Sequence, residues 1–518
     1  MTASTDLTGR ERITWNVLSS WAGHSVFIAA GFILPRLIDE RLGQQRLGVW
    51  DFAWSCVAYF GLVQGGVVSS INRYVARHRA AGDTAGVNRV VSSVECVLTV
   101  MAGIIVILSI ATALLIPVLW TGRLGDYVVD AQWAVFLLGL GVALEVWTAG
   151  YAGVLTGCHR WDLHNGIHAF TCVLTTGGMI VAVLLDGGLP ALAAAHVLGE
   201  MVGRLMRVGL AYREFPGLHV RPHLADWATA REMLHFGSKS FIPSIGDLLL
   251  NQTISVLILS GIGTAALAVF SRPRSLVRQV DTLVAKLAYV LAPTASSLQA
   301  AARLDDLRDL FIRSTRYGVY IALPMILVLT ILGAPLLYVW MGQHYAYGLL
   351  LTILAIGGLA TITQEPVINF LQGLNAHGRP GLANMAASLG AVGLAALAIG
   401  PLHLGLIGAA LAVSLPQSFV NGVYVPLVAC RRLGLSFWDY LLQVWRLPLT
   451  YCLPFALCLA TARLVFGHQP FLAVVVGLAS GAPLLAAIYF KCVVPASLRN
   501  MLAGKLGRRA IQPAESAA

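Results

Sequence analysis

Between Ala268 and Pro293 the sequence reads AVFSRPRSLVRQVDTLVAKLAYVLAP, an apolar run interrupted by Arg272, Arg274, Arg278, Asp281 and Lys286. On a helix turning about 100° per residue, Arg274, Arg278 and Asp281 fall within roughly 60° of one another. Ala285, Ala288 and Ala292 continue their stripe, while Leu276, Val280, Leu283, Leu287 and Leu291 cover the other side. A guanidinium carries a planar fork of donors that matches phosphate oxygens two at a time, so this pair can hold an anionic diphosphate headgroup. The competing reading is structural: Asp281 pairs with the arginines and locks helices together, although one carboxylate leaves one arginine uncompensated. Arg272 and Lys286 lie nearer the segment's ends, where snorkelling accounts for them. Pro273 removes a helical hydrogen bond between two arginines and predicts a kink there.

Other polar residues interrupt apolar runs. Glu145 stands alone, Asp247 and Asn251 are spaced i and i+4, and TQEPVIN places Glu365 and Asn369 likewise. With Asp281 they are candidates for a cavity or ion-coupling role, against the plainer reading of hydrogen bonds between helices. His24 and His196 read as packed polar residues. Gly153/Gly157 and Gly199/Gly203 have the GxxxG spacing of close helix contacts. The eight cysteines form no CxxC pair, and no metal cluster, phosphate-binding loop or nucleophile motif appears. No metal, cofactor or catalytic residue is therefore expected.

The elements that position these residues follow from composition. With 57% hydrophobic and 11% charged residues among 518, and a mean hydropathy of +0.76, too little polar surface remains to cover a soluble globule. The chain reads as an all-α polytopic membrane protein. Fourteen segments are long enough to span, near 15–35, 49–71, 90–118, 132–156, 167–186, 190–211, 237–260, 264–296, 317–340, 349–372, 382–400, 405–429, 447–466 and 470–491. If all span, about 26 of the 35 Lys and Arg share the side of both termini, which makes that side cytoplasmic. The net charge of +11 is scattered between apolar segments, which fits an anionic membrane surface and not nucleic acid. The connector LDDLRDLFIRSTRYG, with Leu304, Leu307, Leu310 and Phe311 at helical spacing, predicts a helix lying on the inner membrane face.

The chain also repeats. GHSVFIAAG and GSKSFIPSIG open the first and seventh segments 214 residues apart, Gly48 and Gly263 stand 215 apart, and Gly157 and Gly373 stand 216 apart. This predicts two pseudo-symmetric six-helix lobes, residues 1–212 and 237–430, joined by a cytoplasmic linker over 213–236. Residues 431–518 then hold two appended helices and a basic cytoplasmic tail. With PRLIDERLGQQRLGVW, GLVQGG, INRYVARHRAAGD and FLQGLNAHGRPGLAN, this plan resembles the polysaccharide transporter (O-antigen flippase) family of the multidrug/oligosaccharidyl-lipid/polysaccharide (MOP) exporter superfamily. The resemblance implies flipping of undecaprenyl-diphosphate-linked oligosaccharide across a bacterial inner membrane by alternating access, for O-antigen, capsule or exopolysaccharide synthesis. It implies as partners the lipid-linked substrate, membrane lipids, and the glycosyltransferases, polymerase and chain-length regulator of the pathway. Two rivals remain. A multidrug cation antiporter would favour an acidic cavity, and a membrane-embedded polymerase or ligase would carry a large outward loop or a catalytic constellation.

Overall fold

The computed structural model describes residues 13–64, 67–288, 291–494 and 499. Among these, all regular structure is helical. In chain order the helices are α1 (Ile13–Leu42), α2 (Gln44–Ala58), α3 (Val67–Ala80), α4 (Thr84–Leu124), α5 (Val128–Trp147), α6 (Ala149–Gly157) and α7 (Trp161–Leu184). They continue as α8 (Gly188–Glu214), α9 (Trp227–Gly261), α10 (Thr264–Ala288), α11 (Leu291–Ala300), α12 (Leu304–Ile331) and α13 (Gly333–Met341). The last six are α14 (Gly348–Gly373), α15 (Gly378–Ile399), α16 (Gly405–Phe419), α17 (Val425–Leu433), α18 (Phe437–Val465) and α19 (Pro470–Cys492). Every apolar segment named above falls on these helices. Among the described residues, eight helical stretches are long and apolar enough to cross a membrane, the longest being Thr84–Trp147, which contains both α4 and α5. The second, fourth and twelfth segments are interrupted, by a 3-10 stretch (Tyr59–Gln64), a break at Thr148 and a π turn (Val420–Tyr424).

The repeat is written into the backbone. Residues with positive φ recur at matching turns: Gly125 and Gly342, Asp186 and His403, and Gly188 and Gly405 are each 217 apart, and His159 and Asn375 are 216 apart. Left-handed backbone is costly for residues with a Cβ, so the two matched non-glycine pairs, Asp186/His403 and His159/Asn375, do not recur by chance. The repeated glycines also make matching contacts. A Cβ on Gly157 would meet Val75 and the Asn72 carbonyl of α3, and one on Gly373 would meet the Ala292 carbonyl of α11.

Contacts divide the chain into two compact units. Unit 1 holds residues 1–271 and 381–413, and unit 2 holds 272–380 and 414–518. In unit 1, α9 joins the first-lobe helices through Tyr59–Thr253 (2.6 Å), Trp120–Ser260 (2.8 Å) and Tyr74–Glu232 (2.8 Å) hydrogen bonds. The strand of chain before α9 is strapped to the start of α4: Asn88 donates to the Gly217 carbonyl and accepts from the His219 amide, and Ser92 and Ser93 accept from the amides of Arg221 and Asp226.

In unit 2 the connector expected to lie flat on the membrane is instead the first turns of α12. Part of its apolar stripe is covered by protein: Leu307 and Phe311 are buried with Phe370, Leu433 and Tyr440, while Leu304 stays exposed. Helical periodicity reports a covered face, and here the cover is α14, α17 and α18 rather than lipid. The C-terminal pair is woven into the same core, with Tyr440 stacked on Phe311 at 5.1 Å and Tyr489 of α19 donating to the Tyr320 carbonyl of α12.

Candidate functional site

In unit 2, α10 is as amphipathic as its sequence implies. Leu276, Val280 and Val284 are buried. Arg278 and Lys286 are exposed, and Arg274 and Asp281 are half-buried. Arg278 makes no hydrogen bond or ion pair through its side chain among the described residues, whereas Arg274 and Asp281 each engage a neighbour. Arg272 departs from expectation. It is 5% exposed, so packing and not snorkelling holds it, because it lies beside Pro273 on the covered side of the helix. Pro273 does not divide the helix, which runs unbroken through it. One turn beyond Asp281, Val284 and Ala288 line a cavity of about 490 Å³ whose rim carries Asp306, Asp309 and Arg313; neither arginine of the pair lines it.

The remaining candidates do not converge. Glu145 of α5 is 58% exposed, with Oε2 3.6 Å from Arg204 Nη2 of α8. Glu365 of α14 is half-buried, and Asn369 donates to its backbone carbonyl one turn back. Asn251 of α9 is half-buried and accepts from Ser255 at its carbonyl. The side chain of Asp247, on the same helix, lies outside the described residues. His196 is packed edge-on against Trp54, as expected for a packed polar residue.

Sequence reasoning missed the polar interior of unit 1. Glu95 of α4 is 7% exposed and lies against the backbone N–H groups of Gly150 and Tyr151, among the first free donors of α6. A Cβ at Gly150 would lie 2.2 Å from its Oε1. On α8, Gly199 and Gly203 admit Thr175 and Thr171 of α7, so the GxxxG spacing does mark a close helix contact. The same seam then carries Arg204 and Arg207, buried to 9% and 7% exposure. Glu200 accepts from Arg204 at 2.6 Å. The signal was present as three ionisable residues, Glu200, Arg204 and Arg207, inside the sixth apolar segment.

Comparison with known proteins shows what the chain resembles. The sequence family described as "Polysaccharide biosynthesis protein" matches residues 140–347. The uncharacterized membrane protein EpsK of Bacillus subtilis (strain 168) is 22% identical over 425 residues, covering 79% of this chain and 81% of that protein. Among solved structures, a multidrug resistance MATE family transporter of the MOP superfamily, in an inward-facing conformation, matches with a TM-score of 0.64 and 16% identity. The match covers 77% of this chain and 93% of that one. A MOP superfamily transporter from Pyrococcus furiosus, whose binding pocket is described as reversed in polarity, matches with a TM-score of 0.60 and 14% identity, over 84% and 100% of the two chains. The sequence match likens residues 140–347 to polysaccharide biosynthesis proteins, and the solved structures show that this chain shares their fold.

Proposed function

We propose that this transporter flips undecaprenyl-diphosphate-linked oligosaccharide units across the bacterial inner membrane by alternating access, with fourteen spans in two repeated lobes and both termini cytoplasmic. The observation that carries the reading is Arg278, a cation exposed on a helix whose opposite face is buried, one turn from Arg274. In a chain related to polysaccharide biosynthesis proteins, the matching anion is the substrate's diphosphate, held by both guanidinium forks. Alternating access then turns the same arginines to the other face, so that the diphosphate charge stays matched until the substrate leaves. Asp281, Asp247, Asn251, Glu145 and Glu365 are the candidates for ion coupling, since no nucleotide-binding loop supplies energy. Multidrug cation antiport is less well supported, because its substrates would be repelled by the α10 arginines.

The test is flipping of a polyprenyl-diphosphate saccharide in reconstituted vesicles, read by a lectin outside. R274Q and R278Q are each expected to slow it by about tenfold or more, the worth of a lost charged hydrogen bond. Lysine should restore only part, having charge without the fork. An R274Q/R278Q double variant that folds and flips normally would remove the headgroup role. An imposed pH gradient in the same vesicles sorts the carboxylates: the amide variant of the coupling residue flips but ignores the gradient.

A further inference from the structure

Ten buried side-chain polar atoms have no hydrogen-bond partner among the described residues, and four of them line the one seam between α7 and α8: Arg204 Nε, Arg207 Nε, His164 Nδ1 and Thr171 Oγ1. The seam explains their meeting. These helices pack so that Gly199 faces Thr175 and Gly203 faces Thr171, and the next turn of α8 brings Arg207 against the start of α7. His164 there stands within electrostatic reach of Arg207, His168 and Arg204. The acceptors nearby are already turned elsewhere. Glu200 is committed to Arg204 Nη2 at 2.6 Å and Glu145 approaches the same nitrogen at 3.6 Å, and Arg207 forms no ion pair with either. Below, Arg160 is held by Asp162 and Glu214. The result is a buried region in which Arg207 feels Glu145 and Glu200 only at a distance, both carboxylates lying against Arg204, and in which the Nε donors of both arginines stay unpartnered.

Removing an arginine from water costs several kcal/mol unless acceptors replace the water. A phosphate oxyanion supplies several acceptors and a negative charge together, and its geometry fits a guanidinium edge. We infer that Arg207 and Arg204, with His164 and Thr171, form a second oxyanion site inside unit 1, taking a phosphate-type group. Arg207 lies seven residues, about 10 Å, inside the end of α8 that runs into the interlobe strap, the end placed at the cytoplasmic face by the proposed orientation. This depth is that of a lipid headgroup, so the site deepens the proposed function as a place where a polyprenyl diphosphate is held on the cytoplasmic side, built from residues other than Arg274 and Arg278. The separation rests on that reading.

The full-length protein in phosphatidylcholine nanodiscs is titrated with farnesyl diphosphate and, separately, inorganic pyrophosphate, with binding read by calorimetry. In an R274Q/R278Q background, farnesyl diphosphate should still bind. Adding R207Q should weaken that binding about tenfold or more, and R207K by less, since a charged hydrogen bond and its fork are lost. Tighter binding of farnesyl diphosphate than of pyrophosphate assigns the group to a lipid, and equal binding assigns it to a free diphosphate. Binding abolished already by R274Q/R278Q overturns the second site and leaves the α10 reading standing, whereas no binding by the wild type removes both. Equal binding with and without R207Q means water alone satisfies these donors and overturns the inference. So does an R207Q protein that melts well below the wild type without ligand while R207K binds no better, because Arg207 would then be a structural residue.

Discussion

Single side chains do two kinds of work in this protein, and the exposed ones at helix starts are the easiest to test. Asp226 caps α9, accepting from the amides of Ala228 and Thr229 and from the Thr229 hydroxyl, and Asp83 caps α4 through the Gly86 amide while facing His78. The Thr229 hydroxyl and amide hold the Asp226 carboxyl below the usual carboxylate range, and the Gly86 amide followed by His78 does the same for Asp83. A folded-state value below the unfolded one, near 3.9 for aspartate, gives stability that is present above about pH 4 and is lost as pH falls through the lower folded value. Melting curves of the purified protein should therefore decline below about pH 4. The D83N/D226N variant should start slightly less stable and decline less steeply. An unchanged acid slope in that variant would place the sensitivity in other carboxylates. The strap over α4 hangs on the same residue, since the Asp226 amide donates to Ser93.

At the scale of elements, the C-terminal helices are part of the core of unit 2 and not additions to it. Tyr440 of α18 is fully buried, stacked on Phe311 of α12 and donating to Gln364 Oε1 of α14 at 3.2 Å. Y440F removes one hydrogen bond, about 1 kcal/mol, and leaves the Gln364 amide oxygen to find water. Y440A also empties the space of a ring and should cost about 3–5 kcal/mol. Denaturant unfolding in detergent should rank the wild type above Y440F and Y440F well above Y440A. A Y440A protein as stable as the wild type would mean that α18 carries no core load and that the appendix description is the better one. The amphipathic start of α12 makes the same point, because its apolar stripe has no need of a membrane surface when α14, α17 and α18 cover it.

Across the whole molecule, the proposed arrangement is an even number of spans with both termini on the side rich in Lys and Arg. A phosphatase or fluorescent reporter fused after Lys491 should report the cytoplasm. A periplasmic readout there would end the fourteen-span arrangement. The sequence by itself determined the membrane class, the helical segments and the repeat, because apolar length, helical periodicity and recurring turn residues are local properties that no partner can alter. Gly157 with Gly373, and the resemblance they helped carry, belong to that legible part, as do the amphipathic faces of α10. Only the tertiary structure decided which residue covers which. It buried Arg272, turned the stripe of α12 inward, left Glu145 mostly exposed beside Arg204, and gathered His164 from one apolar segment with Arg204 and Arg207 from the next. Those outcomes depend on contacts between α5, α7 and α8, or between α12 and α18, and the distance between two side chains on different helices is not encoded in the periodicity of either.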